Sequence, residues 1–249
     1  MALTLVMHIF KTQSSHFLKF IGMVLLVSQG ACSSSSDAWL EEAKTRLKKG
    51  ELVSAREALK KSIEKNPGSS EAFNMLGVID FQEKKYEEAE SNYLKATELK
   101  PSLYQAQLNL AAVRMEKLNW EKALPPLEIA IKNSPDSASA YLQRGIVWAA
   151  LAKPQQAIAD FTTCLAKNPQ EIHALYNRGN IYYQGNKLTE AAEDFEKTVE
   201  INPEFAKGYY ALGLSLYQQK LKEKACLAFQ QARKLKYPGA KEAVQKLCE

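Results

Sequence analysis

The sequence predicts an all-α protein built from an internal repeat of 34 residues. Three series of residues keep this period. Prolines recur at Pro67, Pro101, Pro135, Pro169 and Pro203. Alanines recur at Ala55, Ala89, Ala123, Ala157, Ala191 and Ala225. A large residue follows four positions after each alanine, at Leu59, Tyr93, Leu127, Phe161, Phe195 and Phe229. Since all three series stay in one register, they indicate a stack of similar units.

Each unit is predicted to be a pair of helices, as in residues 139–151 and 154–167, where apolar residues recur at spacings of three and four. Each recurring proline ends the second helix, because proline cannot donate an intrahelical hydrogen bond. A further small-residue series marks where helices cross closely: Gly77, Gly145, Gly179 and Gly213, with Ala43 and Ala111 in the remaining slots. At Pro125 and Pro126, inside a second helix, we expect a kink or a delayed helix start.

These features resemble the tetratricopeptide (TPR) repeat. The resemblance implies a right-handed α-solenoid of six helix-turn-helix repeats over residues 38–237. The repeats would begin near Ser36, Ser70, Tyr104, Ala138, Ile172 and Ala206. Residues 238–249 follow as a C-terminal capping helix, which covers the apolar face of the last repeat.

Cys226 and Cys248 lie on either side of the turn at Pro238. In an antiparallel helix hairpin they would reach nearly the same height, so we predict a disulfide that fixes the capping helix. Two buried free thiols are the alternative. Cys164 occupies a small-residue slot and is predicted to be a core residue.

Residues 1–31 have the composition of a lipoprotein signal peptide, with Lys11 and Lys19, no Asp or Glu, and an apolar run at residues 20–27. Residues 28–32, Ser-Gln-Gly-Ala-Cys, resemble a bacterial lipobox and imply acylation of Cys32. Residues 32–37 would then be the lipidated cysteine and a serine-rich linker. Ser33 resembles the sorting residue of outer-membrane lipoproteins, which implies a lipid anchor on the periplasmic face of that membrane. The alternative is an ordinary secretory signal that is cleaved nearby.

Composition and motifs argue against several other functions. His173 is the single histidine after the signal segment and no C-x-x-C occurs, so no metal site is expected. The sequence contains no G-x-S-x-G, P-loop or H-E-x-x-H motif. We therefore expect no enzyme activity, no cofactor and no small-molecule substrate. The formal net charge of +5 is too small to favour nucleic-acid binding.

The resemblance to TPR proteins implies a partner-binding groove lined by the first helix of each repeat. The family's second, fifth, ninth and twelfth repeat positions face that groove. In this sequence the candidate residues are Asn74, Val78, Phe81, Leu108, Met115, Leu142, Ile146, Tyr176, Asn180, Tyr183, Tyr210, Leu214 and Tyr217. The set is apolar and aromatic, typical of protein interfaces. Packing between neighbouring repeats is the alternative role for the tyrosines. Some TPR proteins bind a C-terminal carboxylate with a set of lysine, asparagine and arginine residues. This carboxylate-clamp pattern is absent here, since Lys207 is the one base at the second position of a repeat.

The size, lipid anchor, six repeats and closing helix with paired cysteines most resemble the type IV pilus pilotins. These lipoproteins assist assembly of the outer-membrane secretin pore. The resemblance implies an envelope protein as partner, with a secretin subunit favoured. An adaptor for peptidoglycan-remodelling enzymes is the second hypothesis. A subunit of an enzyme, or a scaffold for outer-membrane protein insertion, is the third.

Overall fold

The computed structural model describes residues 35–249, and within them it contains α-helices and no β-strand. The first helix, α1, covers residues 35–48. The others are α2 (Leu52–Lys65), α3 (Ser70–Gln82), α4 (Tyr86–Leu99), α5 (Tyr104–Glu116), α6 (Trp120–Asn133), α7 (Ala138–Ala150), α8 (Pro154–Lys167), α9 (Ile172–Gln184), α10 (Leu188–Ile201), α11 (Ala206–Gln218), α12 (Lys222–Lys234) and α13 (Ala240–Leu247). The predicted all-α helical repeat fold is confirmed, and α3, α5, α7, α9 and α11 begin at the predicted repeat starts.

The chain divides into two compact units, Met1–Ala106 and Gln107–Glu249. The described part of the first unit has an apolar core built by α1 to α3, with Leu59 and Ile79 fully buried. The second unit contains one cluster around Phe161 and another around Phe195 and Phe229. No helix within residues 35–249 is long and apolar enough to cross a membrane.

The recurring glycines lie where the two helices of a repeat approach each other, as predicted. A Cβ added at Gly145 would lie 2.7 Å from Phe161, one at Gly179 2.8 Å from Phe195, and one at Gly213 2.6 Å from Phe229. Real Cβ atoms are not found this close to a ring, so glycine is the residue that lets each buried phenylalanine sit against the opposing helix.

A left-handed residue joins the two helices of each repeat. Positive φ angles occur at Gly50, Lys84, Leu118, Ala152, Asn186 and Lys220, which are spaced 34 residues apart. The turn after each first helix therefore keeps its geometry even where the residue is not glycine or asparagine, the types that adopt this conformation at low cost.

The serine-rich linker ends earlier than predicted. Residues 35–37 form the first turn of α1 instead of a flexible spacer. The Ser36 hydroxyl, which is 1% exposed, donates a 3.0 Å hydrogen bond to the Ser62 carbonyl, and the Ser62 hydroxyl donates to the Ser36 carbonyl at 3.1 Å. This reciprocal pair joins α1 to α2 and offsets the low helix propensity of serine. Cys32 and the signal segment lie outside the described residues.

The expected delayed helix start at Pro125 and Pro126 is wrong, because α6 runs through both prolines from Trp120. Proline at position 126 removes the hydrogen bond that the Lys122 carbonyl would accept. That carbonyl instead accepts a 2.7 Å hydrogen bond from the Arg114 guanidinium of α5. A side chain from the preceding helix thus satisfies the acceptor that the proline leaves free.

The C-terminal helix α13 packs on the last repeat. Ala243 and Val244 belong to the same apolar cluster as Phe229. The Cα atoms of Cys226 and Cys248 are 5.6 Å apart, and their sulfur atoms lie at disulfide distance. The helix starts after Gly239, whose φ of +81° makes the turn that directs the chain back onto α12.

Candidate functional site

A small pocket lies between α9 and α11, with the segment after α12 closing one side. Its volume is about 130 Å³. It is lined by Tyr176, Asn180, Tyr183, Phe195, Lys207, Tyr210, Ala211, Leu214 and Tyr237. We call it the tyrosine pocket. The structure therefore brings together Tyr176, Asn180, Tyr183, Tyr210 and Leu214, all of which the sequence placed on the groove face.

Ring contacts hold the tyrosines of the pocket in place. The Tyr176 ring centroid lies 5.7 Å from that of Phe195 and 5.3 Å from that of Phe205. The Tyr210 ring lies 5.6 Å from Phe229 and 5.0 Å from Tyr237. Such tilted and edge-on aromatic pairs add roughly 0.5–1.5 kcal/mol each beyond the area they bury. The pocket wall is thus anchored on the buried phenylalanines that fill the repeat cores.

One charged side chain lines the tyrosine pocket. The Lys207 ammonium lies 4.7 Å from the Tyr176 ring centroid and 4.9 Å from that of Phe205, both at cation–π distance. Within residues 35–249, no carboxylate forms an ion pair with Lys207. The pocket therefore combines aromatic walls with a cation that has no protein counter-ion in the described part of the chain.

A second, larger groove adjoins the tyrosine pocket through Asn180, which lines both. This groove has a volume of about 450 Å³ and is lined by Ala149, Ala152, Pro154, Asn177, Asn180, Ile181 and Gln184. We call it the amide groove. Its three amide side chains follow one another at three- and four-residue spacing on α9, so they share one helix face. None of them hydrogen-bonds to another residue of the described chain.

The other candidate residues divide between packing and partial exposure. Asn74 and Leu108 are 8% and 5% exposed, so their assignment to a partner-binding surface is corrected: in this structure they are packing residues. Leu142 and Ile146 pack against the cluster around Phe161.

Phe81 places its ring 5.5 Å from that of Tyr86. Val78 and Met115 are half-buried. Tyr217 is 39% exposed and does not line the tyrosine pocket. Of these four residues, Tyr217 is the exposed one, and the other three are half-buried.

Sequence reasoning missed several residues of the site. Phe195, Lys207 and Tyr237 line the tyrosine pocket but were not among the candidates, and Asn177 and Gln184 were missed in the amide groove. Tyr237 comes from outside the first helices, at the slot where earlier repeats carry proline. Two signals were available in the sequence: the place of Lys207 at a second repeat position, and the spacing of amides on α9, which the repeat positions of the family do not include.

The remaining titratable groups provide no reactive centre in the described chain. Burial raises the pKa of the Cys164 thiol to about 11, so its thiolate is scarce at neutral pH and the side chain is inert. His173 is exposed. No group of His, Cys, Asp and Glu residues within 35–249 is arranged to hold a metal ion.

Family models for this repeat match two segments of the chain. A tetratricopeptide-repeat model matches residues 40–104, and a TPR-repeat model matches residues 179–220, which include most of the tyrosine pocket. The chain contains tetratricopeptide repeats. These repeats serve as protein-binding modules, and neither match is to a catalytic family. Comparison with curated proteins gives no match.

Solved structures of TPR proteins share the fold. The pilF protein of Pseudomonas aeruginosa aligns with a TM-score of 0.75 and 20% identity, over 86% of this chain and 98% of that chain. YrrB, described as a TPR protein with an unusual peptide-binding site, aligns with a TM-score of 0.65 and 22% identity, over 76% and 99%. MamA of Desulfovibrio magneticus RS-1 aligns with a TM-score of 0.63 and 21% identity, over 69% and 97%. At these identities the likeness establishes the fold.

Proposed function

We propose that this protein is an outer-membrane lipoprotein that binds a secretin subunit and assists assembly of the type IV pilus secretin, as a pilotin does. The observation that carries the binding role is the tyrosine pocket, a preformed aromatic concavity on consecutive TPR repeats. Tyrosines fixed by tilted and edge-on ring contacts lose little side-chain entropy on binding, which makes them effective interface anchors.

The identity of the partner rests on two further observations. The fold likeness to pilF extends over 86% of this chain and 98% of that chain. The segment at residues 28–32 resembles a lipobox, and acylated Cys32 would hold the repeats at the membrane where a secretin is inserted. Each buried CH₂ of the acyl chains would contribute about 0.8 kcal/mol to that attachment.

The physical role of such a scaffold is to hold an unassembled subunit at the membrane. Binding an exposed apolar segment of the subunit would keep that segment from pairing with other chains until multimers form. The pocket supplies specificity, and the lipid anchor raises the local concentration of the complex at the bilayer.

The test compares secretin multimers in cells that carry the wild-type chain, a deletion, or pocket variants. In Leu214→Arg, a long charged side chain replaces a pocket-lining leucine. The matched control is Leu227→Arg, at a position that is 68% exposed on α12 and outside the pocket. We expect the deletion and Leu214→Arg to lose multimers and Leu227→Arg to keep them. Retained multimers in the deletion strain would refute the pilotin role.

Crosslinking in the membrane fraction, followed by capture of the chain and mass spectrometry, identifies the partner directly. Recovery of a secretin that is lost in Leu214→Arg supports the proposal. Recovery of peptidoglycan hydrolases or synthases in its place would move the chain to the class of adaptors for wall-remodelling enzymes.

Acylation is tested with Cys32→Ser, which should release the chain from the membrane, while Ser33→Ala should leave it bound.

A further inference from the structure

We infer that the tyrosine pocket and the amide groove together recognise an extended, acidic segment of the partner protein. An aromatic or branched aliphatic side chain of that segment fills the pocket, a neighbouring carboxylate pairs with Lys207, and the main chain lies along the amides of α9. The inference rests on the proposed protein-binding function and names the chemistry of the segment that is bound.

The pocket has room for one large side chain. A protein cavity of about 150 Å³ holds a benzene molecule, and the tyrosine pocket has about 130 Å³. Its walls are mostly rings and aliphatic carbon, from residues such as Phe195 and Leu214. A single aromatic or branched aliphatic group therefore matches the volume and polarity, and a charged group does not.

The positive charge of Lys207 favours an acidic residue in the bound segment, next to the residue that fills the pocket. Lys207 is the one charged residue of the pocket lining, and it has no counter-ion within residues 35–249. The segment that closes the pocket adds to the positive potential: residues 220–249 contain eight Lys and Arg against three Asp and Glu, and Lys236 directly precedes Tyr237. A carboxylate next to the buried side chain would gain a charge-assisted contact, whereas a lysine there would be repelled.

The amide groove supplies partners for a peptide backbone. Asn177, Asn180 and Gln184 each carry both a donor and an acceptor, and none of these amides is paired with a described residue. Asn180 lines the groove and the pocket at once. A chain whose side chain enters the pocket thus passes Asn180, where its main-chain N–H and C=O groups can be hydrogen-bonded whatever its sequence.

The binding test uses the purified full-length chain and fluorescence anisotropy with labelled synthetic peptides. The probe is Gly-Ser-Glu-Phe-Asp-Ser-Gly. Its first twin replaces both acids by Gln and Asn, its second replaces Phe by Ala, and its third replaces both acids by Lys. We expect the acidic probe to bind about tenfold more tightly than its amide twin, which corresponds to about 1.4 kcal/mol. The Ala and Lys twins should bind least, and the preference should shrink in 0.5 M salt because Lys207 is at the surface.

A charge swap isolates the role of Lys207. Lys207→Glu should reverse the ranking, so that the peptide with lysines binds better than the acidic probe. Lys197→Glu on α10 makes the same change at an exposed position outside the pocket and should leave the ranking unchanged. Helical circular dichroism should be the same for both variants. Asn180→Ala should weaken all four peptides by a similar factor, since main-chain contacts do not depend on sequence.

Two results would overturn the inference: equal affinity for the acidic probe and its amide twin, or an unchanged ranking in Lys207→Glu. Its failure can be separated from failure of the pilotin proposal. Secretin capture without peptide selectivity would leave the pilotin role standing and this inference wrong. Selective binding of the acidic probe without secretin capture would leave the recognition chemistry standing and make the proposed partner wrong.

Discussion

Repeats five and six form the two walls of the tyrosine pocket, but they hold their own helices together by different interactions. In repeat five, the Arg178 guanidinium of α9 donates two 2.8 Å hydrogen bonds to the Asp194 carboxylate of α10. Sixteen per cent of the Arg178 side chain and 4% of Asp194 are exposed. In repeat six, the equivalent slots hold Leu212 and Ala228, both buried.

The charged pair of repeat five also contacts a neighbouring repeat. Arg178 also donates a 3.0 Å hydrogen bond to the Thr162 hydroxyl of repeat four, so its guanidinium joins two repeats as well as two helices. Hydrogen bonding to Asp194, opposed by burial, raises the pKa of Arg178. In repeat six, where this slot is apolar, α12 packs against α13, and Cys226 of α12 lies at disulfide distance from Cys248. The repeat position therefore determines where a side chain lies, while the side chain itself can be charged or apolar.

The largest expected effect is the loss of one partner of the buried ion pair. Arg178→Ala or Asp194→Ala should each lower the free energy of unfolding by about 3–5 kcal/mol, because a buried charge is left unpaired. The double variant Arg178→Leu with Asp194→Ala copies the residues of repeat six. It should recover part of that loss, since removing both charges together leaves neither of them buried without a partner. Urea denaturation of the three variants measures both values.

The same exchange in repeat four is the control. Arg144 and Asp160 form an equivalent bidentate pair with two 2.8 Å hydrogen bonds, and Arg144→Leu with Asp160→Ala should behave like its counterpart in repeat five. A double variant that is as unstable as the single variants would show that the ion pair is needed for more than packing, and that the two repeats are not interchangeable at this slot.

The next effect concerns the cysteine pair between repeat six and the capping segment. Breaking it with Cys226→Ser and Cys248→Ser should cost about 3 kcal/mol, the chain-entropy value for a loop of this length. The affinity of the tyrosine pocket for peptide should fall too, because Tyr237 lines the pocket and lies between the two cysteines in the sequence. Melting curves with and without reductant, together with peptide anisotropy, measure both effects. Cys164→Ser should retain the response to reductant, and identical melting of wild-type protein in both buffers would argue against the disulfide.

Much of the fold could be predicted because each weak local signal occurs several times at the same spacing, and the repeats together identify the helices. One glycine facing one phenylalanine is a weak signal, but the pairs formed by Gly145, Gly179 and Gly213 recur at one spacing. Where a contact occurs once, sequence reasoning failed. The Ser36–Ser62 hydroxyl pair extends α1 into the expected linker, and the Arg114 side chain supports α6 through its prolines. Neither contact recurs at the 34-residue spacing, so the sequence pattern does not indicate it.

The site was only partly predictable for a related reason. Family positions identified Tyr176 and Tyr210 because these positions project from every first helix. They place Lys207 at a second repeat position, where its ammonium lies over the Tyr176 ring of the preceding repeat. They do not identify Tyr237, which lies after α12 and outside the first helices. They also included Asn74, which is buried. Register gives the direction of a side chain, while its accessibility depends on the size of its neighbours.

The smallest effect compares the turns of the two repeats. Repeat five has Asn186 in the left-handed position with φ 58°, and repeat six has Lys220 there with φ 65°. A left-handed conformation costs an ordinary residue about 1–2 kcal/mol, while glycine adopts it freely but loses more entropy on folding. Lys220→Gly should therefore stabilise the chain by about 0.5–1 kcal/mol, and Asn186→Lys should destabilise it, as thermal denaturation would measure. Both residues are exposed, so little packing is lost in either variant. A destabilised Lys220→Gly would mean that the lysine side chain makes a contribution in repeat six that asparagine does not make in repeat five.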